Sequence, residues 1–250
     1  MLSDTAIVGK FRKRPWTTIL SVTAFAALVA ILAPRLAGSI VTWSGSQPAC
    51  ANAEEYFSLI NDPDGGLVRE RNVRGIDFTL RYLPTDDLVY RRVKKHPLFS
   101  DALVDSLQHV YSKSVGFQLA FGADGVGTQG DVTYLGVNNY EEYAARVREI
   151  NFGLEEMLEL HAGDKVFRPK LAVAENTYSL SNERKVMIMF SDVELLKSMQ
   201  NEDEVVMVFD DRIFGGGIMK YRFNTNAINN VPAFPFAALP NYRAEQVDGR

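Results

Sequence analysis

The sequence has few of the residues on which catalytic and metal sites most often depend. Its 250 residues include one cysteine, Cys50, so an intrachain disulfide cannot form. The three histidines, His96, His109 and His161, stand singly and show none of the spacings typical of zinc ligands. The patterns Gly-x-Ser-x-Gly and Gly-Lys-Ser/Thr are also missing, so the sequence predicts neither a serine-hydrolase elbow nor a phosphate-binding loop. We therefore expect no cofactor, and we favour a role without catalysis.

The chain also lacks an excess of basic residues. It carries 27 Lys and Arg against 31 Asp and Glu, a net charge of −4. Residues 1–38 hold five of the basic residues and one acidic residue, which leaves 22 basic and 30 acidic residues and a net charge of about −8 for the remainder. Nucleic acids select positively charged surfaces, so we expect no nucleic-acid partner.

One long apolar run lies near the N-terminus. Residues 16–33 are 18 residues without a charge, and a basic cluster precedes them: Lys10, Arg12, Lys13 and Arg14. As a helix this run would be about 27 Å long, close to the hydrocarbon thickness of a bilayer. The basic flank is expected to stay in the cytoplasm. We predict a cytoplasmic segment at 1–15, a transmembrane signal anchor or signal peptide at 16–43, and an extracytoplasmic location, periplasm or cell surface, for the rest.

Three forms of this leader remain open. A retained anchor would use the whole of 16–43, although a proline and an arginine interrupt it. A cleaved signal peptide would use the small residues within 36–49 as its cutting site. A lipoprotein would carry acyl chains on Cys50, although the polar Gln47 stands where that signal needs an apolar residue. A buried core helix is disfavoured by the basic flank and the terminal position.

The remainder is expected to form an α+β domain. Apolar and polar residues alternate over 73–83, which is typical of a half-buried strand. Further strands are predicted at 115–121, 170–174, 186–190, 205–209 and 217–223, and helices at 85–95, 100–113, 139–161 and 192–199. Because a regular βαβ alternation is missing, we expect a largely antiparallel sheet packed against two or three helices. This domain would cover 73–232, after a linker at 44–72 and before an extended tail at 233–250.

The strongest candidate for a chemical site is a pair of neighbouring carboxylates. Asp210 and Asp211 follow the apolar run 205–209 and precede three glycines at 215–217. Two carboxylates at a strand end suit a weak metal site or an acid–base pair. Adjacent strand residues point to opposite faces, however, and aspartates followed by glycines are equally typical of a hairpin turn. The turn is the favoured interpretation.

Residues 82–88, Tyr-Leu-Pro-Thr-Asp-Asp-Leu, and 209–217, Phe-Asp-Asp-Arg-Ile-Phe-Gly-Gly-Gly, form two short signatures. With Tyr-Arg-Phe at 221–223 and a distal Ile228, Val231 and Pro232, they resemble uncharacterised lipoprotein-like envelope proteins of Bacteroidota-type bacteria. The resemblance covers about Arg74 to Pro232. It implies an envelope location and no specific activity. This chain departs from the pattern at Cys50, which lacks a lipoprotein signal box.

Two functions are consistent with these patterns. The first is a membrane-tethered envelope protein that binds another envelope protein or a surface polymer, or has a structural role. The leader, the missing catalytic motifs and an aromatic-rich domain favour it. The alternative is a hydrolase or metal-dependent enzyme that uses Asp210 and Asp211. Because a turn accounts for both acids, we favour the first hypothesis.

Overall fold

The computed structural model describes residues 49–123, 132–175 and 182–244. The predicted leader at 16–43 lies outside these residues, as does most of the glycine-rich loop expected at 122–131. Within the described ranges, none of the helices has both the length and the apolar character needed to cross a bilayer. The predicted class, α+β with antiparallel strands, is confirmed, but the strands form two sheets rather than one.

Nine strands and seven helices make up the described part of the domain. The strands are β1 Val68–Val73, β2 Ile76–Leu83, β3 Val115–Ala123, β4 Leu158–Ala162, β5 Lys165–Phe167, β6 Leu171–Ala174, β7 Glu183–Phe190, β8 Glu204–Asp211 and β9 Gly217–Asn224. The helices are α1 Ala53–Ile60, α2 Thr85–Val93, α3 Asp101–Tyr111, α4 Tyr140–Phe152, α5 Leu154–Met157, α6 Val193–Asn201 and α7 Thr225–Asn229.

The two sheets face each other across the main hydrophobic core. The five-stranded sheet has the order β1-β2-β3-β7-β6, the four-stranded sheet has the order β5-β4-β8-β9, and every pairing is antiparallel. Aromatic rings meet between the sheets: the centroid of Phe78 lies 6.0 Å from that of Phe209, and Phe117 lies 5.3 Å from Phe223. The first pair is edge-to-face, and such contacts add to the stabilisation that burial of the ring area supplies.

Strand alternation explains which face of the larger sheet is buried. In β2, Ile76, Phe78 and Leu80 are buried and point into the core, whereas Thr79 and Arg81 lie on the opposite face. Side chains two residues apart share a face, so the same division continues along β3 and β7 through their register with β2. The outer face of this sheet therefore carries polar side chains, beside a small apolar cluster that Leu83 and Met189 form with Leu88 of α2.

Two arginines connect the open edges of the two sheets. Arg69 donates from Nε to the carbonyl of Arg222 at 2.6 Å, and Arg71 donates to the carbonyl of Lys220 at 2.9 Å. Their guanidinium groups also lie over the rings of Phe223 and Tyr221. These arginines bind backbone carbonyl groups of β9 that would otherwise be unpaired at the edge of the sheet. An exposed sheet edge is a common template for unwanted pairing with another strand.

The helix predicted over 139–161 is the main error in the secondary-structure prediction. Helix α4 ends at Phe152, the four-residue α5 follows Gly153, and the chain then extends as β4. Leu154 and Leu158 fit helical spacing, whereas Leu158 and Leu160 fit strand alternation, so the sequence is ambiguous there. Pairing of β4 with both β5 and β8 decides in favour of the strand.

The boundaries of the domain are wider than the sequence suggested. The segment 44–72, assigned to a linker, contains α1 and most of β1 in its described part. The segment 233–250 was assigned to an extended tail, but its described part, 233–244, packs on the domain and buries Phe234 and Phe236. The backbone N–H of Phe234 donates to Asp86 at 2.9 Å, which fastens this segment to the start of α2.

Candidate functional site

A groove of about 490 Å³ lies on the outer face of the five-stranded sheet. This volume is within the range usual for small-molecule sites. Its floor comes from β1, β2, β3 and β7, and one wall comes from α1 and α2. We call this feature the sheet-face groove.

Register places the floor residues side by side. Arg81 on β2 is opposite Gln118 on β3, and Thr79 is opposite Ala120. Ala120 is in turn opposite Lys185 on β7. Because all of these positions have the same parity along their strands, their side chains project together from one face of the sheet. Because the side chain of Ala120 is small, it leaves the groove open above the middle of its floor.

A buried carboxylate joins the floor to the helical wall. Asp87, in the first turn of α2, has 2% of its side chain exposed. Its Oδ1 accepts from Nε of Arg91 at 3.2 Å, and its Oδ2 accepts from Arg91 at 3.3 Å and from Arg81 at 3.4 Å. A bidentate arginine pair of this kind fixes geometry as well as charge.

The second arginine of this cluster is the more deeply placed one. Burial lowers the pKa of the Arg81 guanidinium, the neighbouring Arg91 lowers it further, and Asp87 acts in the opposite direction. Arg81 also donates to Asn61 at 2.5 Å and to the side-chain oxygen of Gln118 at 3.3 Å. These bonds compensate a charge that would otherwise be costly to desolvate.

Further ion pairs extend the polar floor towards β7. Gln118 donates to Glu175 at 3.2 Å, and the same carboxylate lies 3.8 Å from Arg91. On β7, Lys185 lies 3.1 Å from Glu183. The floor therefore alternates hydrogen-bond donors and acceptors, with ionised groups that are already paired with each other.

An aromatic wall faces this polar floor. Phe57 of α1 and Tyr90 of α2 both line the groove, and their ring centroids are 4.9 Å apart in an edge-to-face arrangement. Phe234 packs behind them at 5.8 Å from Phe57 and 5.0 Å from Tyr90. The amine of Lys94 lies 5.1 Å from the centroid of Tyr90 at the rim. The groove thus combines an apolar side with a hydrogen-bonding side.

Asp210 and Asp211 lie elsewhere, at the end of β8. They point to opposite faces, as strand geometry requires: Asp211 is buried, whereas Asp210 pairs at 2.7 Å with the exposed Arg212. The carboxylate of Asp211 accepts backbone N–H groups of three turn residues, Ile213 at 3.1 Å, Phe214 at 3.0 Å and Gly216 at 2.8 Å. The two carboxylates do not converge, and the geometry is that of the β8–β9 hairpin turn.

The remaining candidate, Cys50, packs into the core. Its side chain is 7% exposed, and its backbone N–H donates to the carbonyl of Ala233 at 3.3 Å. Burial raises the pKa of the thiol, and the charge of Glu55 adds to this. In this conformation an acyl chain on the sulfur would require the segment to open locally.

The described residues contain no group of three or more His, Cys, Asp and Glu placed to hold a metal ion. His161, expected at a helix end, lies instead on β4, where its Nε2 is 3.2 Å from Glu159. His96 follows α2, and His109 lies in the last turn of α3 with its ring 2.9 Å from the amine of Lys113. The histidines are therefore as scattered in space as they are in sequence.

The residues of the groove form no recognisable motif in the sequence. Asp87 lies in the first turn of α2, where an acid is favoured by the helix dipole whatever else it contacts. Its spacing of four from Arg91 was a visible signal of a helical ion pair. Arg81 gave no such local signal, because its approach to Asp87 depends on how α2 packs over the sheet.

No known protein family and no curated protein sequence matches this chain. Among solved structures, the chain is similar to the crystal structure of a novel protein of unknown function from Burkholderia pseudomallei, with 12% sequence identity. The match covers 71% of this chain and 88% of that chain, with a TM-score of 0.35. A similarity of this size carries no argument about fold or function.

Proposed function

We propose that this chain is a membrane-tethered envelope protein whose α+β domain binds a ligand in the sheet-face groove without a chemical step. The observation that supports binding is the cluster of Arg81, Asp87 and Arg91 on the outer face of the sheet. Desolvating three charges gains little stability compared with apolar packing of similar volume. Their presence beside a groove is accounted for by recognition of a ligand.

The state of the carboxylates favours binding over catalysis. Both carboxylate oxygens of Asp87 already accept hydrogen bonds from the guanidinium groups of Arg81 and Arg91. A general base must accept a proton during the reaction, so this arrangement suits it poorly. Asp211 is similarly engaged by three backbone N–H groups. The carboxylate of Asp87 thus orients two arginines, and that of Asp211 holds the turn between β8 and β9.

The envelope location is supported by the sequence of the leader. The uncharged run 16–33 follows four basic residues, and the acidic remainder would be exported. The intact mass of the protein from its native membrane fraction tests this proposal. A full-length mass together with protease sensitivity of the domain only from the outer side supports a retained anchor. Protease sensitivity from the cytoplasmic side alone would contradict the proposed topology.

Co-sedimentation of the full chain with washed, protein-free envelope polymer tests the binding role. The informative variant is Ala120→Phe, because Ala120 lines the groove and a phenyl ring there fills it. Val173→Phe is the matched control, since Val173 lies on the same sheet face, is 40% exposed and is not part of the groove. We expect Ala120→Phe to abolish co-sedimentation and Val173→Phe to preserve it. Equal sedimentation of both variants would rule out the groove as the binding site.

A further inference from the structure

The charges around the sheet-face groove cancel. The lining contains four cationic side chains, Arg81, Arg91, Lys94 and Lys185, and four anionic ones, Glu70, Asp87, Glu175 and Glu183. A groove of zero net charge exerts little long-range attraction on a ligand of one sign. The ligand that suits this balance is itself neutral.

The deepest cations are committed to partners within the protein. Both guanidinium groups are turned towards Asp87, and Arg91 also approaches Glu175. A phosphate or carboxylate ligand would have to compete with these carboxylates and would be repelled by them. Hydroxyl groups avoid that conflict, because each one donates to a carboxylate oxygen and accepts from an N–H group.

The floor offers both kinds of partner at short spacing. Gln118 carries an amide that connects Arg81 on one side with Glu175 on the other, at 3.3 and 3.2 Å. Thr79 adds a hydroxyl on the neighbouring strand. Such a network polarises its members and strengthens additional hydrogen bonds to them. Neighbouring hydroxyl groups of a ligand would find alternating donors and acceptors here.

The opposite side of the groove selects for a ring with an apolar face. Phe57 and Tyr90 present aromatic surface beside the polar floor. A pyranose ring has hydroxyl groups around its edge and C–H groups on its faces, so it matches both sides at once. Small-molecule sites commonly combine aromatic walls with a few placed polar groups.

The geometry points to a neutral saccharide as the ligand of the sheet-face groove, with its hydroxyl groups on Gln118 and Glu175 and a C–H face against Tyr90. This assignment rests on the proposed function and names its ligand class. It also predicts that binding depends little on salt, since screening weakens the attraction between ions but not contacts with an uncharged ring.

Isothermal titration calorimetry on the full chain tests this assignment, in a detergent without a sugar headgroup. The probes are neutral oligomers of glucose and of N-acetylglucosamine, an anionic uronic-acid oligomer and a tripeptide. We expect a neutral oligomer to bind, with affinity changed by less than about twofold between about 50 and 500 mM salt. Ala120→Phe should weaken binding by more than about tenfold, equivalent to about 1.4 kcal/mol, whereas Val173→Phe should leave it unchanged.

A second variant, Gln118→Ala, removes the central amide without adding volume, and thermal unfolding of each variant shows whether it is folded. Weaker binding of the neutral oligomer by folded Gln118→Ala supports the assignment. Binding of only the uronic-acid oligomer or the tripeptide would overturn it. The assignment would also be overturned if none of the four probes bound while the full chain still co-sedimented with envelope polymer and Ala120→Phe abolished that co-sedimentation. The proposed function would then stand. Sedimentation unaffected by Ala120→Phe would remove both.

Discussion

The carboxylate of Asp211 accepts a hydrogen bond from the backbone N–H of Gly216 at 2.8 Å, five residues further along the chain. The same side chain accepts the N–H groups of Ile213 and Phe214 and is 2% exposed. A buried carboxylate with three donors closes the turn between β8 and β9. A residue pair that resembled a chemical site in the sequence is thus explained by the local geometry of a hairpin.

Replacing Asp211 with Ala should destabilise the fold by about 2–4 kcal/mol, because three backbone donors would lose a charged acceptor. Urea unfolding followed by circular dichroism measures this. Asp210→Asn is the matched control, and we expect it to change the free energy of unfolding by less than about 0.5 kcal/mol because the ion pair of Asp210 with Arg212 is exposed. Titrations of the wild type and of this control with Mg²⁺, Mn²⁺ and Zn²⁺ test the metal-dependent form of the enzyme alternative, which requires metal binding by the wild type that Asp210→Asn removes.

Gly216 should not tolerate a side chain. A Cβ atom at this position would lie 2.6 Å from Oδ2 of Asp211. This carboxylate cannot easily move away, because it accepts three backbone hydrogen bonds. We expect Gly216→Ala to cost about 1–3 kcal/mol, as overpacking typically does. Gly122→Ala is the control, because its Cβ would meet neighbours no closer than 3.5 Å. Equal unfolding midpoints for the two variants would contradict the turn geometry.

Asp87 should be essential to the fold. Asp87→Ala would leave Arg81 and Arg91 facing each other without their shared counter-charge, and removal of one partner of a buried ion pair costs about 3–5 kcal/mol. Asp77→Ala, at an exposed position on the same sheet, should change stability by less than about 0.5 kcal/mol. Chemical unfolding of both variants is the measurement. Similar free energies for them would mean that the cluster contributes no more than a surface pair.

Asp86 should make stability depend on pH in a direction opposite to that of most carboxylates. Burial raises its pKa above the ordinary value of 3.8, although hydrogen bonds from Phe234 and Gln108 lower it in part. Between the unfolded and folded pKa values, the native state therefore binds more protons than the unfolded chain. The contribution of Asp86 to the free energy of unfolding is complete below pH 3.8 and is lost as the pH rises through the folded pKa.

In the variant Asp86→Asn, the free energy of unfolding should not show this decrease with rising pH, because the amide does not titrate. We expect the free energy of unfolding of Asp86→Asn, minus that of the wild type, to increase as the pH rises from about 4 to 7. Urea titrations at half-unit pH intervals provide the curve. Asp105→Asn, at an exposed position in α3, gives the reference for a carboxylate substitution. A difference that falls with pH would show that the pKa of Asp86 is lowered in the folded protein.

Cys50 should react slowly with iodoacetamide in the folded protein. The thiol is buried and its raised pKa keeps it protonated, whereas the thiolate is the reactive form. We expect alkylation at pH 7.5 to be more than about tenfold slower than in urea. The double variant Cys50→Ser, Ser58→Cys places a thiol at an exposed position of α1 and should react quickly in both conditions. Protein from the native membrane that stays unreactive even in urea would carry a modified sulfur.

Much of the secondary structure could be predicted because the spacing of apolar residues along the chain matches the pattern of buried side chains in the strands and helices. Residues 205–209 and 217–223 alternate or are continuously apolar, and both are strands in the structure, three residues and one residue longer than expected. Strand β1 was missed because its sequence, Val-Arg-Glu-Arg-Asn-Val, resembles a solvated segment. Only its position at a sheet edge explains those charges, since two of its arginines reach across to β9.

The candidate site was less accessible to such reasoning than the fold. The adjacent aspartates at 210 and 211 suggested a shared site, yet their side chains point to opposite faces of β8. The groove residues Arg81, Gln118 and Glu175 are far apart along the chain and meet only through strand register. No local pattern carries that information, because register depends on which strands become neighbours.

The sequence by itself determined the antiparallel α+β class, since its strands alternate with period two and no βαβ repeat is present. It also determined the chemistry of the β8–β9 turn, because aspartate and glycine satisfy and allow that backbone locally. The division of the strands into two sheets and the position of β4 were decided only by tertiary structure. So was the sheet-face groove, where α2 brings Asp87 over Arg81, because packing across the sheet joins residues that no sequence spacing relates.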